Sequence, residues 1–199
     1  MSADYAKLYG DMHAKGKYFP GFSIGPYVEA IAALVDQHKP DRMLDFGSGR
    51  GLQYLKRRVH ERWGGMVPHC YDIGVSGLNE KPEGKFGGVI CTDMLEHIDK
   101  PDVSAMLNEL IGYVEPGGFL FLGISCRPTR KKLPDGRDVH LTIEPPKWWI
   151  QQIEDAAARN KRRKVTTRPA MDWSDIHIVA HWDIAGHFDC DDKPWDSWA

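Results

Sequence analysis

The stretch Arg42-Met43-Leu44-Asp45-Phe46-Gly47-Ser48-Gly49-Arg50-Gly51 decides the fold. Its first half is a brief apolar run of the kind that forms a strand. Its second half has glycine at alternate positions, where the backbone can turn sharply and approach a ligand with no Cβ in the way. Leu52, Leu55 and Val59 then recur three and four apart, so a helix starts directly after the last glycine. Strand, glycine turn and helix in this order point to a nucleotide-type cradle. A dinucleotide fingerprint GxGxxG would require glycine where this chain has Leu52, which argues against a nicotinamide or flavin dinucleotide.

Working outward, Pro26 to Gln37 has helical spacing at Val28, Ile31, Ala32 and Val35, so a helix precedes the turn. After it come candidate strands at Met66–Asp72 and Gly87–Thr92, the latter an apolar run suited to a buried parallel strand. Pro101 suits a first helical position, and Val103, Met106, Leu107, Leu110 and Val114 trace one apolar helix face. Glu115-Pro116-Gly117-Gly118 reads as a tight turn, and Phe119–Ser125 as another buried strand. Pro145 and Pro146 open a helix carrying Trp149, Ile153 and Ala157. Val165–Thr167 and Ile176–Trp182 read as two last strands. The alternation of strands and helices predicts an α/β protein with a mainly parallel sheet covered on both faces. Ligands in such sheets bind at the carboxyl ends of the strands.

The residues at those ends resemble the class I methyltransferases that use S-adenosylmethionine. LDFGSGRG, Leu44 to Gly51, resembles their first motif. Asp72 ends the second strand 21 residues beyond Gly51, where a carboxylate can accept both ribose hydroxyls of a nucleoside. Thr92-Asp93-Met94-Leu95-Glu96-His97-Ile98 looks like the LEHI segment of many small-molecule members, and Glu115-Pro-Gly-Gly-Phe-Leu like the turn and strand that follow. The resemblance covers residues 42–125. It implies a three-layer Rossmann-like fold with an antiparallel last strand, and S-adenosylmethionine as cofactor. The cofactor would be held by Asp45, Phe46, Gly47, Ser48, Gly49, Gly51, Asp72, Asp93, Met94 and Leu95. One departure stands out: residues 73–86 are too few for the helix and third strand of a full member, so the third strand is absent or vestigial.

Methyl transfer from a sulfonium asks mainly for in-line positioning, plus a base where the nucleophile carries a proton. His97, beside the expected transfer point, and His140, in the loop beyond Ser125, are the candidate bases. In that loop, the stretch from Arg127 to Arg137 holds Arg127, Arg130, Lys131, Lys132 and Arg137 against one acid, Asp135. Arg127, Arg130 and Lys131 are the candidate acceptor contacts, and their charge favours an acceptor bearing phosphate or carboxylate. The acceptor is expected to be a small molecule, sugar-like or nucleotide-linked. A cofactor-binding module without catalysis and an RNA methyltransferase remain as alternatives. A DNA-base methyltransferase is disfavoured: Glu144-Pro145-Pro146-Lys147 follows the wrong strand for an amino-methylating motif, and there is no Pro-Cys pair for attack at cytosine C5.

Composition frames this reading. The chain has 199 residues, 42% hydrophobic and 27% charged, with net charge −2 and pI near 6.5. That is one ordinary globular domain, not a polyanion binder by bulk charge. Residues 1–23 read as an N-terminal arm or lid and 186–199 as an acidic, Trp-containing tail. Cys70, Cys91, Cys126 and Cys190 form no CxxC pair and read as free thiols, and no metal site is expected. No apolar run approaches the roughly 20 residues of a membrane span, and no signal-peptide core is present, which predicts a cytoplasmic protein.

Overall fold

The computed structural model describes residues 9–12, 19–133, 136–160, 170–173 and 176–183. The elements among them run α1 (Val28–His38), β1 (Met43–Phe46), α2 (Leu52–Lys56), β2 (His69–Tyr71), β3 (Phe86–Thr92), α3 (Val103–Tyr113), β4 (Val114–Ser125), α4 (Pro146–Arg159), β5 (Ala170–Trp173) and β6 (Ile176–Asp183). They form one sheet of six strands in the order β2-β1-β3-β4-β6-β5.

The pleat explains the layers. Successive strand side chains point to opposite faces, and the two faces have separate cores. Leu44, Phe46, Val89, Cys91, Leu120, Leu122 and Ile124 pack with α3 and α4. Met43, Ile90, Phe119 and Phe121 pack with α1, Tyr54 and Trp63 on the other side. β3 is buried along its whole length, as a strand covered on both faces must be. The sequence reading of a sheet between two helical layers agrees with this arrangement.

The direction of the last strand does not match expectation. β6 runs parallel to β4 over seven pairs, from Phe119 opposite His177 to Ser125 opposite Asp183. The antiparallel strand is β5, at the sheet edge beside β6. Only two residues separate β5 from β6, so one of them has to oppose the sheet. The longer β6 takes the inner place, and the four-residue β5 takes the edge. β1, β2, β3, β4 and β6 are all parallel to their neighbours among themselves.

Two other details refine the sequence reading. Glu115-Pro-Gly-Gly lies inside the bounds of β4, where the register steps from Phe86 opposite Val114 to Gly88 opposite Phe119, so the turn is an irregularity within the strand. Among the described residues none between 72 and 85 is in a helix or strand, and β2 is the other edge of the sheet. No described helix is long and apolar enough to cross a membrane. The expected strand at 165–167, the arm residues 1–8 and 13–18 and the tail 186–199 lie outside the described residues.

Candidate active site

The glycine turn is strapped to its neighbours through the backbone. Gly47 and Ser48 both donate their amides to Tyr71 O, at 2.8 and 3.1 Å, which ties the end of β1 to the end of β2. Gly49 donates its amide to Asp72 Oδ2 at 2.8 Å, and Gly74 donates to Asp72 Oδ1 at 2.9 Å. Gly47 has φ +81°, and a Cβ there would come within 2.6 Å of Met94 Cγ. The first turn and the segment after β3 therefore pack against each other directly.

Residues 19–23 complete this region. Phe19, Pro20 and Gly21 accept backbone hydrogen bonds from Arg50, Leu52 and Gln53, so their carbonyls satisfy amides that a helix start leaves without intrahelical partners. Ser23 Oγ lies 2.7 Å from Thr92 Oγ1 at the end of β3. Tyr9, on a helical turn at 9–12, donates its hydroxyl to His97 O at 2.9 Å. Its ring and that of Phe19 meet the His97 ring edge-on.

One cavity opens above the strand ends. Phe46, Gly47, Gly49, Asp72, Asp93 and Met94 line it on the side of the glycine turn. Glu96, His97, Arg127, Lys131 and His140 line it as well, and the segment from Phe19 to Ser23 forms part of its wall. The structure thus brings together six of the ten expected cofactor contacts, both candidate bases and two of the three candidate acceptor contacts.

The remaining residues sit elsewhere. Asp45 is buried on the α1 face, where Gln53 Nε2 and the Tyr54 hydroxyl donate to its Oδ2 at 3.1 and 2.9 Å. Burial pushes its carboxyl up to about 7, against the hydrogen bonds from Tyr54 and Gln53, with the Asp72 charge adding to the rise. Ser48 is buried with its hydroxyl on Gly49 O. Leu95 is a core residue. Gly51, at φ +61°, is the residue before α2, where a Cβ would meet Cys70 Sγ at 3.3 Å. Arg130 is exposed and does not line the cavity.

The fit of the implied cofactor rests on these donors and acceptors. Asp72 lines the cavity, and a carboxylate oxygen with two lone pairs is the acceptor a ribose hydroxyl needs. The backbone at Gly47 and Gly49 and the apolar side chains of Phe46, Ile73 and Met94 supply the surface a nucleoside needs. The residues present fit the group.

The histidines are held with care. His97 Nδ1 lies 2.9 Å from Val139 O, and His140 Nδ1 lies 2.7 Å from Arg127 O. The two rings stand perpendicular with centroids 5.0 Å apart. Burial, with the positive character of His140 and Lys131 nearby, pushes His97 down to about 3. Glu96 is fully buried, and its Oε1 accepts the Ser125 amide at 3.1 Å. Thr142 fastens the turn, donating its amide to Glu96 O and its hydroxyl to Ile98 O. The sequence reading took segment 19–23 as part of an arm or lid without assigning it a site residue, and it gave Glu96 no role. Glu96 stood in the quoted LEHI segment, whereas the segment 19–23 is held largely by main-chain bonds with no side-chain signature.

Comparison with known proteins adds a family. A solved structure of an O-methyltransferase family protein from Burkholderia thailandensis aligns at 18% identity and a TM-score of 0.48, covering 67% of this chain. The chain spans 50% of that protein's length. No curated protein matches. A family model described as a methyltransferase domain matches residues 22–174, a span that includes the glycine turn, Asp72, the turn after β3 and the loop to α4. The chain belongs to that methyltransferase domain family.

Proposed function

We propose that the chain transfers a methyl group from S-adenosylmethionine to a small-molecule, sugar-like or nucleotide-linked acceptor carrying negative charge. The observation that carries this reading is the single cavity shared by the glycine turn, Asp72, both histidines, Arg127 and Lys131. Asp72 would hold the ribose hydroxyls, and Phe46 and Met94 would flank the nucleoside. Bound there, S-adenosylmethionine supplies a methyl group already activated by its sulfonium. The protein's task is then to place an acceptor atom in line with it and to exclude water.

His97 is a poor proton acceptor, because a ring pushed down to about 3 is neutral at working pH and only weakly basic. His140 is the better candidate base. Arg127 and Lys131 would orient an anionic acceptor by charge-assisted hydrogen bonds.

The test is a methyl-transfer screen with labelled S-adenosylmethionine over acceptor pools, run beside calorimetric titration with S-adenosylhomocysteine and with NAD. One site per chain for S-adenosylhomocysteine, none for NAD and label in an acceptor are the expected results. Micromolar NAD binding without S-adenosylhomocysteine heat would overturn the reading. Cofactor binding with no labelled product in any pool would favour a non-catalytic module.

A further inference from the structure

We infer that Glu96, His97 and His140 form a binding site for one divalent cation of the zinc, manganese and iron class. The ligand atoms these residues offer all lie within 4.8 Å of one another. They come from separate elements, the turn after β3 and the loop leading to α4, and all three face the candidate active-site cavity. Two ligands of a tetrahedral zinc ion are about 3.4 Å apart when each bond is about 2.1 Å. The ligand atoms here lie within 4.8 Å of one another, so an ion would draw them closer together.

The hydrogen bonding of the rings is what a metal site requires. A ligating histidine usually gives its other ring N–H to a carbonyl or carboxylate, which fixes the tautomer and the ring plane. Here Nδ1 of His97 is set against Val139 O and Nδ1 of His140 against Arg127 O. Donation through Nδ1 places the lone pair of each neutral ring on Nε2. Glu96 brings the negative charge, in a buried position where a carboxylate is favoured by an adjacent cation. Ser125 N orients it through Oε1. Two imidazoles and one carboxylate suit zinc, manganese and iron better than magnesium or calcium, which prefer all-oxygen sites. Lys131, also in the cavity, opposes the cation, so the site selects doubly charged ions by ligation and not by charge alone.

Three protein ligands leave a coordination position for an exogenous oxygen. The role assigned to that position rests on the proposed function. An acceptor hydroxyl seated there would be acidified by the ion. Its proton leaves to solvent and its oxygen forms the new bond to the methyl carbon. The carbon–sulfur bond breaks with its electron pair remaining on sulfur. With an ion bound, His140 serves as a ligand in place of the base role it would have in the metal-free site.

The experiment uses the full chain, stripped with a chelator and titrated with Co²⁺ while visible d–d absorption is followed, with Zn²⁺ as competitor. One Co²⁺ per chain, displaced by Zn²⁺, is expected, with binding at least tenfold weaker in His140→Ala and in the isosteric Glu96→Gln. Thermal unfolding of both variants verifies that they fold. S-adenosylhomocysteine is titrated into the same samples. Absence of a Co²⁺ signal at millimolar metal, or equal affinity in folded variants, overturns the site. If S-adenosylhomocysteine still binds in that case, the methyltransferase reading survives. Stoichiometric Co²⁺ lost in the variants, with no S-adenosylhomocysteine binding, supports the site and removes the methyl-transfer role.

Discussion

Gly49 N and Asp72 Oδ2 are hydrogen-bonded at 2.8 Å across 23 residues of sequence, so the glycine turn and the acid after β2 form one unit. Asp72 therefore has a structural duty toward the turn beside the ribose contact proposed for it. Asp72→Ala is expected to weaken S-adenosylhomocysteine binding by about 1.5–3 kcal/mol, the scale of hydrogen bonds to a charged group. It should also lower the urea midpoint, because the amides of Gly49 and Gly74 lose their acceptor. Calorimetry and urea unfolding read the two effects separately. A folded variant with unchanged affinity would place the ribose elsewhere.

Gly49 is also where the arm meets the turn. It has φ +54°, and a Cβ there would lie 2.4 Å from Phe19 O and 2.9 Å from Gly21 N. Gly49→Val is expected to destabilise the fold by roughly 2–4 kcal/mol, combining a β-branched residue at positive φ with the displaced backbone. Cofactor binding should fall as Phe19 to Ser23 shift from the cavity wall. Gly21→Ala should reproduce the effect from the opposite side, since its Cβ would approach Ser48 O to 2.2 Å. Urea midpoints near wild type in both variants would contradict this packing.

The core of the fold was legible because it is written in apolar runs and glycines. β1, β3, the later part of β4 and the helices flanking them all stand where the spacing predicts. Asp45 shows where motif reading and strand geometry diverge. A linear motif places it beside the ligand, yet alternation along β1 puts it on the face of Met43, opposite Leu44 and Phe46. The strand period in the same four residues carries that placement. The arm was read as an arm or lid, but what fastens it was illegible for another reason. Phe19, Pro20 and Gly21 are fixed by their carbonyls on Arg50, Leu52 and Gln53, and a main-chain bond leaves no pattern in residue type. The direction of β6 was hidden too, because an alternating strand reads the same whichever way it runs.

The buried Asp45 carboxyl gives stability a pH dependence with a definite sign. In the unfolded chain it ionises near 3.8, while in the folded protein it holds its proton up to about 7. Between those values the folded state binds more protons, so raising the pH withdraws stability. The loss is on the order of 4 kcal/mol and is complete once the pH exceeds the folded value. Asp45→Asn cannot titrate, so its stability relative to wild type should improve from pH 4 to pH 7 and level off above. Urea unfolding of both proteins at pH 5, 6, 7 and 8 measures the difference. A difference independent of pH would show that Asp45 does not hold its proton in the folded state.

The acceptor side can be tested by comparing cations that differ only in where the loop places them. Arg127 and Lys131 line the cavity, while Arg130, between them in sequence, is exposed and does not. If the acceptor is anionic, Arg127→Ala and Lys131→Ala should each raise its KM roughly tenfold or more, the scale of a lost charge-assisted contact. Arg130→Ala removes the same formal charge at the surface, where salt screens it over about 8 Å at physiological ionic strength. Its effect should stay below about twofold and vanish in added salt. The Arg127 substitution spares the contact that positions His140, because that contact is to the backbone carbonyl. S-adenosylhomocysteine affinity should be nearly unchanged in all three variants, since its amino-acid end is a zwitterion whose ammonium and carboxylate leave no net charge for the loop cations to act on. Equal KM changes at Arg127, Lys131 and Arg130 would mean that the loop acts only as a diffuse positive field. No change at any of them, in variants that still turn over, would remove the case for an anionic acceptor.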